Sequence, residues 1–443
     1  MNYLETKKMK ILIGLVVLFA LFQVYKFISV RLASTDLPRG EIVFCSGLHG
    51  NNEVYLMNIN GTGLQRLTKY SLFGPTLNTW ITDLEPSFSF NGRKIAFDSD
   101  RDDKGPRIER TRYPGGMLRE RSLPTHHDIY TMDSNGERLV RLSYNPFISY
   151  LLAYSPDSQK ILYYSVPISS DPFYEELKII DSNGTNGMTL IKGCGVAQLA
   201  RFSSDSQSVF FILRGDLYSI DIYQGALCRL THFNNRDINR PDKIEGLPFI
   251  DNFALSPNGD KITFVTTEKR PFQFIFYSIN RDGSDMKQIN KLNNFSRFSY
   301  LGRISEIKYS PDGETVVFIG HFDKDGFYVL DKNNNLNFIR YLSGEDSGIE
   351  SIKNDHLIFT PDSKRIVFVA AFPYYPADDW FTWVKSIGYE IFGNLKYFIF
   401  RRISGPYDNK YLCIMDIKTG NFRKIARLPI SSNIGRDFIH WEK

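Results

Sequence analysis

Cysteine is scarce in this sequence and scattered. Its four residues, Cys45, Cys194, Cys228 and Cys413, lie far apart in 443 and show no Cys-x-x-Cys spacing, so neither a disulfide frame nor a structural zinc site is expected. They read as small buried hydrophobes. Histidine is also thin. The seven (His49, His126, His127, His232, His321, His356, His440) show no ligand spacing on one element. Even the adjacent pair His126–His127 would point to opposite faces of a strand. No metal and no cofactor are expected. An excess of one charge is lacking too: +5 over the chain is too sparse a basic face for nucleic acid. There is no low-complexity tract, and 42% apolar with 14% aromatic residues is enough for a packed core.

Long hydrophobic runs are absent with one exception. "ILIGLVVLFALFQVY", Ile11 to Tyr25, follows the basic "KKMK" and precedes Lys26 and "FISV". Fifteen apolar residues are short for a span, but a snorkelling Lys26 stretches the segment towards the roughly 20 that a bilayer needs. A secretory signal has the same outline. Arg-Leu-Ala before Ser34 puts arginine where a signal cleavage site needs a small residue, which favours an uncleaved anchor. The expected organisation is residues 1–10 cytoplasmic, 11–31 in the membrane, 32–40 a linker, and 41–443 one domain outside the cytoplasm, in a bacterium. Basic residues flank both ends of the run equally (Lys7, Lys8, Lys10 against Lys26, Arg31, Arg39), so orientation rests on the signal-like layout.

What the sequence has in abundance is one twelve-residue phrase. "FSFNGRKIAFDS" from Phe88 returns as "YSPDSQKILYYS" from Tyr154, "FSSDSQSVFFIL" from Phe202 and "LSPNGDKITFVT" from Leu255. It returns again as "YSPDGETVVFIG" from Tyr309 and "FTPDSKRIVFVA" from Phe359. Each is an apolar strand end, a tight turn of Pro, Asp, Asn and Gly, and a second strand rich in Ile, Val and Phe: a hairpin. A third short strand ("DIYTMD", "DLYSID") and a fourth ("RLVRLS", "ALCRLT") follow. A four-stranded unit at intervals near fifty residues predicts propeller blades. Second strands fall at Ile42, Ile95, Ile161, Val209, Ile262, Val316 and Ile366. The first lacks a first strand before it, and "DFIHWEK", Asp437–Lys443, is a first strand with nothing after it. The expectation is an all-β, seven-bladed β-propeller of four-stranded antiparallel blades, its ring closed by the C-terminal strand and preceded by one N-terminal transmembrane helix.

The "YSPDG" turns, "KIAFDSDRD" at Lys94–Asp102, "DIYTMDSNG" at Asp128–Gly136 and "QRLT" at Gln65–Thr68 resemble the TolB-like propeller repeat, which also occurs in the propellers of the prolyl oligopeptidase and dipeptidyl peptidase group. The resemblance covers about residues 40–443. It implies the fold; function it leaves open, since such propellers serve as binding platforms in unrelated systems. The chain departs from TolB in having seven blades rather than six and no separate N-terminal domain. It departs from the oligopeptidases in lacking Gly-x-Ser-x-Gly, the nucleophile turn of their hydrolase domain. A binding scaffold rather than an enzyme is expected; the alternative is a propeller lyase or hydrolase with a site in the channel.

Three places invite function. "DSDRDDKGPRIE", Asp98–Glu109, has the acid spacing of a calcium loop but Asp103 where the turn needs glycine, so it reads as a solvated turn. Counting back from the end of each first strand gives polar residues expected to line the channel: Glu85, Arg201, Asn252, Glu306, Lys308, His356 and His440. The loops expected on one face carry all the long insertions. One, 102–126, holds Arg107, Arg110, Arg112, Arg119 and Arg121. Another, 371–410, holds Trp380, Phe381 and Trp383, and from Asp379 repeats apolar residues at helical spacing. A protein or peptide partner is expected on that face.

Overall fold

The computed structural model describes residues 38–47, 51–69, 81–102, 108–112, 118–122, 126–144, 147–167, 175–193, 199–233, 249–269, 272–292, 303–321, 326–341, 351–372, 410–428, 434 and 436–442. They form seven four-stranded antiparallel sheets and one separate two-stranded hairpin. Blade one is Ile439–Trp441, Gly40–Ser46, Glu53–Asn58 and Gln65–Arg66, from the axis outward. Blade two is Asp83–Phe88, Lys94–Ser99, Asp128–Asp133 and Val140–Arg141; blade three is Phe147–Tyr154, Lys160–Pro167, Glu176–Asp181 and Met188–Lys192. Blade four is Arg201–Phe202, Ser208–Leu213, Asp216–Asp221 and Leu227–Arg229; blade five is Phe249–Leu255, Lys261–Lys269, Phe272–Asn280 and Lys287–Leu292. Blade six is Arg303–Tyr309, Val316–His321, Gly326–Leu330 and Leu336–Tyr341; blade seven is Ser351–Phe359, Arg365–Ala371, Lys410–Asp416 and Phe422–Arg427.

The ring closes as the unpaired strands predict. Ile42 pairs with Ile439, Glu41 with His440 and Gly40 with Trp441, and Val43 N–H donates to Phe438 O at 2.9 Å. Seven apolar clusters fill the seven interfaces between consecutive blades. The cluster that joins blade seven to blade one contains Val367, Leu412 and Ile414 packed on Ile42, Phe44, Phe438 and Ile439. Each fully buried aliphatic or aromatic side chain contributes roughly 2 kcal/mol, so the core is a circle of interfaces rather than one central mass.

The repeated phrase is a hydrogen-bonded device. In all six hairpins a Ser or Thr hydroxyl donates to the Asp or Asn two residues on and accepts the N–H five residues on. Ser155 with Asp157 (2.5 Å) and Lys160 N (2.9 Å) is one example, Ser310 with Asp312 (2.5 Å) and Thr315 N (3.0 Å) another. A second device ties the outer strands. In blade two, Asp128 accepts from the Ser143 hydroxyl at 2.7 Å and from Arg141 Nη2 at 2.6 Å. In blade four, Thr231 and Arg229 hold Asp216 at 2.8 and 2.7 Å. "RLS" and "RLT" are therefore clamps on the acid that opens the third strand.

Three expectations need correction. Asp98 and Asp100 are not in a solvated turn: they are 1% and 7% exposed, because the second strand of blade two carries Asp98 into the interface with blade three. Cys228 is exposed on an outer strand, whereas Cys45 and Cys413 are buried. Residues 108–112 and 118–122 of the basic insertion pair as a hairpin. His440 lies between blades one and two rather than along the channel, as described below. The proposed anchor and the aromatic insertion fall outside the described residues; among those described, no helix is long and apolar enough to cross a membrane.

Candidate functional site

The innermost strands bring most of the charged residues expected in the channel into one group. Glu306 of blade six is 4% exposed, and its carboxylate meets Arg201 Nη2 of blade four at 3.4 Å and His356 Nδ1 of blade seven at 3.3 Å. Lys308 Nζ donates to Arg436 O at 3.4 Å, and Arg436 Nη1 donates to Ala200 O at 3.4 Å. Residues from blades four, six and seven and from the closing segment thus meet across the axis. Burial alone would raise the Glu306 pKa; Lys308, the His356 hydrogen bond and Arg201 outweigh it and hold the carboxyl far below the usual range. Arg436 goes the other way: burial and the nearby Arg201 guanidinium lower it. With both oxygens already held, Glu306 is a counter-ion that keeps cations in the channel.

Three further residues take separate positions. Asn252 is buried and donates to Ser305 O at 3.2 Å, stitching blade five to blade six. The His440 ring packs on Phe88 at 5.8 Å and over Gly92, where any Cβ would collide with it. Glu85 is exposed, on a left-handed backbone with φ of 46°. For Asn252 and Glu85, counting by twos from the turn failed because the inner strands of five blades carry register shifts, such as Leu84/Ser87, Ile250/Asn252 and Ile304/Glu306. A bulge changes which face the next residue takes. Arg436 was missed because it precedes the closing strand rather than lying in a repeat.

On the insertion-bearing face, the hairpin register sets Arg110 opposite Glu120, Arg121 opposite Glu109, Arg112 opposite Leu118 and Arg119 opposite Thr111. Two of these four arginines therefore stand across from acids. Arg107, Trp380, Phe381 and Trp383 lie outside the described residues. The opposite, smooth face has a hollow of about 600 Å³ between blades two and three, lined by Arg93, Lys94, Asn135, Arg138, Ser182 and Asn183. Among the described residues, no group of three or more His, Cys, Asp or Glu is placed to hold a metal ion.

No family model and no curated protein matches the chain. Solved structures do. TolB from Acinetobacter baumannii is 15% identical over 93% of this chain and 84% of its own, with a TM-score of 0.42. A TolB described as putative, from Agrobacterium tumefaciens, is 16% identical over 69% and 90%, with a TM-score of 0.39. A prolyl endopeptidase reaches a TM-score of 0.52 at 11% identity, over 91% of this chain and 54% of that enzyme. The chain thus spans about half the length of that peptidase. At such identities the likeness is one of architecture: the protein is a seven-bladed β-propeller whose neighbours in fold include TolB propellers and a prolyl endopeptidase.

Proposed function

We propose that the protein is a non-enzymatic binding scaffold, tethered to a membrane by its N-terminal segment, with the propeller outside the cytoplasm and a protein or peptide bound on the face that carries the long insertions. The observation that carries this reading is the contrast between the faces. On the smooth face the described turns are short and joined to one another. Asn91 N–H donates to Ser158 Oγ at 3.1 Å, Asp157 N–H to Ser206 Oγ at 3.1 Å, and Asp312 N–H to Ser363 Oγ at 3.0 Å. The sequence places its insertions at the other ends of the strands, 102–126 and 371–410 above all. A scaffold keeps its structural repeats on one face and its recognition loops on the other. The paired state of Glu306 favours this reading over a channel enzyme, because a carboxylate held far below its usual pKa is a poor general acid.

The test is capture of the partner by full-length protein carrying Trp380→Ala with Trp383→Ala, or charge reversal at Arg119 and Arg121. Capture should weaken while the melting temperature stays unchanged. Undiminished capture by both variants would contradict the proposal.

A further inference from the structure

Towards the insertion-bearing end of the channel, where blade two meets blade three, acidic charge and aromatic surface gather, and the buried Arg436 guanidinium lies within the field of Glu85. Asp98 is 1% exposed and its Oδ1 has no hydrogen-bond partner; its Oδ2 lies 3.9 Å from His127 Nδ1. A buried carboxyl with an oxygen left unpaired is costly. Burial and then Glu85 push its pKa up, and Asp83 and Asp100 add to the effect. Asp83 and Asp100 are themselves engaged, the first by Arg101 at 2.9 Å and Thr68 at 2.8 Å, the second by the Thr82 N–H at 2.7 Å. Glu85 is different. It sits at the bulge of the inner strand, on a left-handed backbone that disfavours side chains, with its carboxylate in the open. Strain of this kind persists where the surroundings enforce it.

Blade three supplies the wall. The Tyr150 and Tyr164 rings stack at 4.9 Å, and the His127 ring lies 6.4 Å from Tyr150. Both tyrosines lie within the fields of Asp98 and Glu85. One lone buried carboxyl oxygen, one presented carboxylate and a stacked phenol pair form a site for a flat organic cation, held by charge below and by ring faces beside it. The donors do not converge as a metal site would.

We propose that this place is the recognition subsite of the insertion-bearing face and that it takes a guanidinium group, an arginine side chain presented by the partner. It rests on the scaffold reading above. Guanidinium fits better than ammonium because it is planar, stacks on aromatic rings and gives parallel donors to carboxylates.

The probe is N-acetyl-arginine amide, titrated calorimetrically into the full-length protein, with N-acetyl-citrulline amide as its uncharged counterpart. Saturable binding of the arginine compound alone is expected, with at least a fivefold loss in Glu85→Gln, whose exposed position leaves folding intact. Asp98→Asn should weaken binding of the arginine compound as well. Equal binding of citrulline, an unchanged Glu85→Gln, or no saturable binding overturns the proposal. If the arginine compound binds as expected but partner capture ignores the insertion-face substitutions, the scaffold reading falls while the subsite stands. If capture depends on that face and Glu85→Gln captures normally, the subsite alone is wrong.

Discussion

Serine on a left-handed backbone is an uncommon choice, and this protein makes it in three of its six repeated turns. Ser158, Ser206 and Ser363 have φ of 63°, 61° and 59° where the other turns use Gly92, Gly259 and Gly313. A side chain costs roughly 1 kcal/mol there. The offset is the hydroxyl, which accepts an N–H from the turn of the preceding blade. Ser206→Gly should therefore leave the melting temperature nearly unchanged, since strain relief and the lost hydrogen bond oppose each other. Ser206→Ala keeps the strain and loses the bond, and should cost about 1–2 kcal/mol by denaturant titration. The choice between "SPDS" and "SPDG" was readable in the sequence, but its reason was not, because the donor lies some fifty to seventy residues earlier, in the preceding blade. Glu306 makes a second prediction at this scale. Its folded pKa is depressed, so its contribution is present above the unfolded carboxyl value and is lost as pH falls below it. Glu306→Gln should cost roughly 3 kcal/mol at neutral pH by stranding Arg201 and Lys308. It should also flatten the loss of stability on acidification, as followed by chemical unfolding at a series of pH values. An unchanged acid limb would show that Glu306 is not the linked group.

At the scale of the element, the closing strand matters most. Ile439–Trp441 adds three backbone pairs to blade one, and with Phe438 it places apolar side chains in the last interface. Trp441 Nε1 also donates to Phe359 O of blade seven at 3.0 Å. Deleting Asp437–Lys443 would leave an unpaired inner edge and expose blade seven's flank. Loss of a single cooperative thermal transition is expected; a truncated chain that melts as the full one does would refute this closure. Period-two patterns and turn residues were enough to read the blades, because each strand is half an interface and its alternation is fixed by burial. They were not enough for the inner strands, where bulges break the count. His440 packs between blades for a different reason: Ile439 is the residue opposite Ile42, so His440 lies beyond the end of the count. The hairpin in the basic insertion had its own signal, Pro114-Gly115-Gly116 between two alternating segments, which the run of arginines obscured. The cation subsite was the least legible, since Glu85, Asp98, His127 and Tyr150 come together only when two blades meet.

For the whole molecule, the chain enters blade one at Gly40 as a second strand, at the smooth face. Nine residues, 32–40, span at most about 30 Å, so an anchored N-terminus holds the smooth face towards the membrane and turns the insertions outward. Protease added to intact spheroplasts should then digest or release the propeller; digestion only after lysis would place it in the cytoplasm. The central claim, that the partner is met on the insertion-bearing face, is tested most directly by photo-cross-linking in living cells. A photoreactive residue would be placed singly at Tyr144 and Arg119 on that face, and at Gln159 and Asn333 on the smooth face. The account predicts one cross-linked partner of constant mass from the first pair and none from the second. Cross-links confined to Gln159 and Asn333 would contradict it.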